Sequence, residues 1–436
     1  MNATNRQMHL GLYLAATGHH AAGWRMPGAQ AGGQNLPLIT RIAQTAERGK
    51  FDMVFFADSP NSAPNMHPGM IVRLEPLTLL AALATATQRI GLAATVSTTY
   101  TEPYNLARMM SSLDHISNGR VAWNVVTGSF SEVGENFSKA HPPHDKRYAI
   151  AAEYLDVVKG LWDGWEDGAL VMDRDTGVYV DLSKRHELNH KGEFYSVRGP
   201  LNITRSPQGH PVIIQAGASD AGKDFAAASA EVIYSIQQEL ESSLAFNNDI
   251  RERARATGRD PSRIKILPGV IPLVGSTEKE AREKLARLGE LVDPKTALQV
   301  LAERLGHNLD RYPLDALVPD LPPSDGMRGH AESLKKLAKK HNFTLRELRD
   351  YTSVGYGHRL LIGTPEQVAD GLLEWFDAGA ADGFNIMPPW FPESFDDFVD
   401  HVVPLLQSKG KFRRDYAGAT LREHLGLSVP PNCYQQ

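Results

Sequence analysis

Short apolar runs bounded by Gly, Pro or Asp alternate along this chain with longer amphipathic stretches, the pattern of β–α units that feed a parallel sheet. Buried strands are expected at 9–16 (HLGLYLAA), 51–58 (FDMVFFAD), 90–97 (IGLAATVS), 120–127 (RVAWNVVT), 211–217 (PVIIQAG), 231–236 (EVIYSI), 264–274 (IKILPGVIPLV) and 383–388 (GFNIMP). Helical periodicity falls between them at about 37–49, 75–88, 103–117, 146–164, 219–229, 239–257, 364–379 and 394–407. Thr364-Pro365-Glu366-Gln367 marks one helix start with a capping hydroxyl, a proline at the first helical position and an acidic dipole partner.

Eight strands alternating with helices predict an α/β fold, a (β/α)8 TIM-type barrel formed as one domain over residues 1–436. Two stretches break the alternation, near 165–210 and 276–356, and read as insertions. The second carries helical patterns of its own at 277–289, 295–305 and 328–340. Barrel insertions commonly cover the catalytic mouth, and 276–356 is the candidate lid.

Composition narrows the function. The balance of 46 Lys+Arg against 51 Asp+Glu gives a net charge of -5, and no basic run is interleaved with aromatics, which disfavours nucleic acid as a partner. Cys433 is the only cysteine, so neither an intrachain disulfide nor a multi-thiolate metal site can form. The start of the chain lacks a cationic segment followed by an apolar run, and nowhere do eighteen apolar residues occur in succession. A cytoplasmic protein away from the membrane is expected.

In a barrel, chemistry sits where the strands end, so polar residues at those ends are the candidates. The first strand runs into His19 and His20, which could donate to a reacting oxygen or simply form the pocket wall. The second ends at Asp58, placed to accept a ring N–H or to serve as an N-cap or a structural salt bridge. Thr95, Asn124 and Thr127 put hydroxyls and an amide inside apolar strands, where buried polar groups need partners. His144 and Tyr148, four apart at a helix start, share one face. The fifth strand leads into Gln215-Ala216-Gly217-Ala218-Ser219, a small-residue turn opening a helix. Free backbone N–H groups with the helix dipole behind them make that turn a phosphate site.

His186-Glu187-Leu188-Asn189-His190 matches the HExxH pattern of zinc hydrolases, which requires a helix. Its flanks show no apolar helical face, and Gly192 follows closely, so it reads as a chance match and no metal is expected. GxGxxG after a strand, GxxxxGK[ST] and GxSxG are all absent, so the chain shows no dinucleotide fingerprint of its own.

Asp58, the run Ser117-Asn118-Gly119-Arg120-Val121-Ala122-Trp123-Asn124, Pro143-His144-Asp145-Lys146-Arg147-Tyr148, Gly192-Glu193-Phe194-Tyr195, Pro207-Gln208-Gly209-His210-Pro211 and the Ser219 turn together carry a resemblance. The chain resembles the bacterial luciferase-like flavin monooxygenases, in the branch of the nitrilotriacetate, dibenzothiophene-sulfone and long-chain alkane monooxygenases, over nearly its whole length. The resemblance implies FMN used as FMNH2, a separate NAD(P)H:flavin reductase, O2, and a C4a-(hydro)peroxyflavin that passes one oxygen atom to a small organic substrate. It also implies a homodimer or homotetramer. Matched by position, Asp58, Thr95, His144, Tyr148, Ala218 and Ser219 would contact FMN. His19, His20 and His358 would face the substrate as catalytic candidates. The other readings are a flavin- or deazaflavin-binding barrel without oxygenase activity and a zinc hydrolase built on His186 and His190.

Overall fold

The parallel sheet closes on itself. In the computed structural model, described here for residues 6–435 apart from 31, 63–66, 323–327 and 356, the sheet strands are β1 (His9–Tyr13), β2 (Met53–Phe56), β3 (Gly91–Ser97), β4 (Val121–Val126), β5 (Val212–Gln215), β6 (Val232–Ser235), β7 (Lys265–Val274), β8 (Arg359–Gly363) and β9 (Gly383–Ile386). The first five residues and parts of the expected 276–356 insertion therefore lie outside the described residues. All pairs are parallel. The ring runs β1-β2-β3-β4-β5-β6-β7-β9 and returns to β1, where His9–Leu12 register with Gly383–Ile386.

All eight expected strands form the barrel, each trimmed by a residue or more at one end or both. A ninth strand was not foreseen. β7 is ten residues long and rises past the ring, so its end needs another partner, and β8 supplies it by pairing with Val270–Val274. The five-residue run of β8 sits directly before the helix Pro365–Asp377, whose Thr364–Gln367 capping box is present as expected. The stretch expected as one helix at 394–407 is instead Glu393–Asp397, a π-helical turn Phe398–Val402 and Val403–Ser408.

The two insertions lie on opposite faces. The segment 276–356 follows the C-terminal end of β7 and so emerges at the mouth. It folds as helices Glu278–Glu290, Pro294–Leu305, Arg328–His341 and Leu345–Gly355, the last not anticipated, around a small apolar core of its own that includes Leu301, Leu305, Leu334, Leu345 and Leu348. The expectation that 165–210 also covers the mouth is corrected. That segment joins the end of helix His144–Trp162 to the start of β5, which places it at the N-terminal face, and it binds the chain's tail there. The Asn432 amide donates to the carbonyls of Asp163 and Trp165, and His186 stacks on Tyr434 at 4.3 Å.

The tail also closes the barrel floor. Leu421, Leu425 and Leu427 pack against inward-facing Met53, Ala93, Val212 and Leu267. Beside them Asp52, fully buried, accepts from the Leu10 amide at 2.7 Å and pairs with His9 at 3.0 Å and with Arg413 from the tail. Burial would raise its carboxyl, but Arg413 and His9 more than offset that and hold it down at about 2. Among the described residues no helix is long and apolar enough to cross a membrane.

Asp52→Ala strands a buried guanidinium and should destabilise the fold by about 3–5 kcal/mol, read as a lower denaturation midpoint. Because the folded carboxyl titrates below its unfolded value, its contribution is complete above about pH 4 and fades as pH falls toward 2. Asp52→Asn should flatten the stability-versus-pH curve in that window, and an unchanged slope would refute the assignment.

Candidate active site

A cavity of about 1180 Å³ opens at the C-terminal ends of the strands. Every strand of the ring contributes to its wall: Tyr13, Phe55, Ser97, Val126, Gln215, Tyr234, Gly269 and Asn385. Ordinary ligand pockets occupy about 300–1,000 Å³, so this volume accommodates a cofactor and a substrate together. Its floor is aromatic: the Phe55 ring lies 5.0 Å from Tyr13 and 4.7 Å from Tyr234.

The β5 side has the character of an anion site. Ser219 caps the helix Asp220–Ser229, its Oγ accepting from the Gly222 amide at 3.2 Å, and the His144 ring reaches the same hydroxyl with Nε2 at 3.4 Å. His144 Nδ1 in turn meets Asp145 at 2.9 Å, and Tyr148 packs edge-on to His144 at 5.2 Å. Ala218, Ser219, His144 and Tyr148 all line the cavity, and the turn follows the fifth strand of the ring.

The β2 and β3 ends are more tightly committed. Asp58 lines the cavity with its carboxylate 2.7 Å from Arg73 Nε, so the salt-bridge reading of the sequence holds while further lone pairs stay available. Burial raises its pKa more than Arg73 lowers it. Thr95 is buried below the lining residues, its Oγ1 accepting from the Asn124 amide at 2.9 Å. Its reach is to Asn124, not to the cavity surface.

At the β1 side, His19 is on the wall and donates from Nε2 to the Tyr13 carbonyl at 2.9 Å, while His20 is not among the lining residues and accepts the Ala22 amide on Nδ1 at 3.1 Å. A third histidine, His67, joins them; its Nδ1 accepts the Gly69 amide at 3.1 Å. Burial depresses all three imidazoles, His19 and His20 to about 4 and His67 to about 3, so they are neutral at physiological pH. His358 lines the mouth above Gly269 of β7, where an added Cβ would come 2.2 Å from its Nδ1. Gly269 is thus a strand glycine that leaves room for an imidazole.

Sequence reasoning passed over His67, Tyr13, Tyr234, Arg304 and Asn385. Asn385 carried a readable signal, an amide inside an apolar strand, as Asn124 did. Its Oδ1, together with Ser235 Oγ, is buried at the cavity without a hydrogen-bond partner among the described residues. His67 and Arg304 come from segments whose position over the barrel is set by tertiary packing alone. His186 and His190 do not converge: they lie in a loop and a two-residue strand, and each is tied to its own carboxylate, Glu166 at 2.6 Å and Glu153 at 3.0 Å.

Residues 16–382 match the family described as luciferase-like monooxygenase. The chain is 49% identical to the N-acetyl-S-(2-succino)cysteine monooxygenase of Bacillus subtilis (strain 168), covering 100% of both chains. It is 45% identical to nitrilotriacetate monooxygenase component A of Aminobacter aminovorans over 98% of each. Among solved structures it is similar to a riboflavin lyase crystallised with modified FMN and its substrate riboflavin, with a TM-score of 0.87 and 32% identity over 98% of this chain and 97% of that one.

The three buried histidines make stability depend on pH. Each binds a proton more readily unfolded than folded, so stability is complete above about pH 6.5 and is lost as pH falls toward 4. Between pH 6.5 and 5 the loss should be about 1.5 kcal/mol per histidine. Denaturation of the FMN-free protein at the two pH values measures it. A His67→Asn variant that retains the full wild-type difference would contradict the burial argument.

Proposed function

The chain belongs to the luciferase-like monooxygenase family, and on that footing we propose that it is the oxygenase of a two-component system. It takes FMNH2 from a separate NAD(P)H:flavin reductase, together with O2, and places one oxygen atom in a small organic substrate. The observation that carries this reading is the pairing, in one cavity, of an anion-receptive turn at Ser219 with buried acceptors left open at Asn385 and Ser235. A phosphorylated heteroaromatic ring of flavin type satisfies both.

In this reading Ser219, the backbone of Ala218 and the His144 ring hold the phosphate, with the dipole of the helix Asp220–Ser229 behind them. Tyr148 flanks the ribityl chain, and the aromatic floor of Tyr13, Phe55 and Tyr234 supports the ring. Asp58, kept in place by Arg73, and Asn385 accept from ring N–H groups. Thr95 acts one layer down, fixing the amide of Asn124. When bound, the reduced flavin supplies the electrons that activate O2.

What the chain adds is exclusion of water and control of protons. The 276–356 helices roof the cavity, with Glu303, Arg304, Ser333 and Leu337 facing inward. His19 and His358 stand at the walls where a substrate sits. Because His19 is neutral and donates to Tyr13, its free Nδ1 can accept a proton and return it.

Ser219→Ala and Asp58→Ala should each weaken FMNH2 binding about tenfold, measured by anaerobic titration. Unchanged affinity in both variants overturns the cofactor assignment. With reductase, NADH and FMN, turnover under 18O2 should leave one labelled oxygen per product and stop when the reductase is omitted. FMNH2 binding with no label in any product would instead favour a flavin-binding barrel without oxygenase activity.

A further inference from the structure

Three glutamines line the cavity, and two of them are engaged within the chain. Gln215 accepts the Gly217 amide on Oε1 at 2.6 Å, and Gln238 donates from Nε2 to the Gly357 carbonyl at 2.6 Å. The third, Gln237, has neither end of its carboxamide in a hydrogen bond among the described residues, although the residue is only 9% exposed. Buried amides without a partner are rare, because taking them out of water without compensation is costly. Set in the wall of a cavity, such an amide is satisfied by what binds there.

The chain fixes where that contact falls. Gln237 stands two residues beyond Ser235, the last residue of β6, and so lies further toward the mouth, since every strand of the parallel ring points that way. The two residues after it are fastened to the roof and its return. Gln238 is held at Gly357, where the roof re-enters the barrel, and Glu239 is paired with Lys340 and, at 3.2 Å, with His341 of the helix Arg328–His341. The free amide is thereby placed between the level of Ser235, read above as an acceptor for the flavin, and the roof. That layer is the one left for a substrate. The lysines of the wall do not take its place: Lys223 is paired with Asp249, Lys340 with Glu239, and Lys336 is exposed to solvent.

We propose that Gln237 is a specificity residue and that this enzyme's substrates present a carboxamide to it. The side chain offers an acceptor and donors side by side in one plane, and a carboxamide answers both at once. An ether or a thioether alone leaves at least one end unpaired. The proposal rests on the monooxygenase reading above and adds the substrate class and the residue that reads it. Discrimination at such a contact is steep, because an analogue without the group leaves a buried amide stranded.

The test is equilibrium binding to the full chain loaded anaerobically with FMNH2, using two matched pairs of probes: para-(methylthio)benzamide against thioanisole, and (methylthio)acetamide against dimethyl sulfide. Within each pair the second compound has hydrogen in place of the carboxamide. Wild type should bind the amide member of at least one pair about tenfold more tightly than its partner. Gln237→Leu should bring that pair to within about twofold by weakening the amide member alone, leaving the Kd of the other unchanged. Parity within both pairs, absence of amide binding, or a preference that survives Gln237→Leu each overturns the proposal. Failure to load FMNH2 at all instead overturns the reading beneath it. Thermal denaturation reports whether the variant folds, and Gln237→Met takes its place if Gln237→Leu does not.

Discussion

Closure of the sheet is the constraint on which everything else here depends. His9–Leu12 must lie against Gly383–Ile386, and the approach is so close that a Cβ on Gly383 would meet the His9 carbonyl oxygen at 1.9 Å. Only a glycine fits. Once that seam is made, every strand of the ring has two hydrogen-bonded neighbours and no edge remains within it. The open ends then carry all the freedom. The N-terminal end is sealed by the tail leucines and the Asp52–Arg413 pair, and the C-terminal end becomes the cavity. Loss of the seam would scatter residues from Tyr13 to Asn385 that share one wall only because the ring brings their strand ends together.

Electrostatics then divides that cavity. At the β5 side, the helix dipole and the Ser219 hydroxyl favour negative charge, while Lys223 of the same helix is bound to Asp249. At the β1 side, burial strips His19, His20 and His67 of charge. The same desolvation acts on both kinds of group, disfavouring the protonated imidazole and the ionised carboxyl of Asp58 and Glu303 alike. The interior is thereby biased toward neutral hydrogen-bonding groups, an environment in which reacting oxygen meets few stray protons.

The two insertions show why position in the connectivity matters more than length. Both exceed an ordinary connection, yet one follows a strand and the other precedes one. In a parallel barrel that difference alone sends them to opposite ends. The segment 165–210 became a brace for the tail, and 276–356 became the roof. The extra strand β8 belongs to the same logic, since the roof departs from β7 and must return beside it.

By itself the sequence determined the barrel, because eight apolar runs bounded by turn residues admit few other packings. It also marked the helix start at Ser219, which caps the helix Asp220–Ser229, because such a cap is made by neighbouring residues. The capping box at Thr364 was legible for the same reason: it is local. What only the tertiary structure decided was whatever depends on contacts far apart in the chain. Asp58 meets Arg73 across a loop, Thr95 turns to Asn124 on the neighbouring strand, and Arg304 lines one cavity with Tyr13 from nearly 300 residues away along the chain. Periodicity records which face of an element is buried; it carries no record of which distant side chain will be waiting there, because that is fixed only when the ring closes.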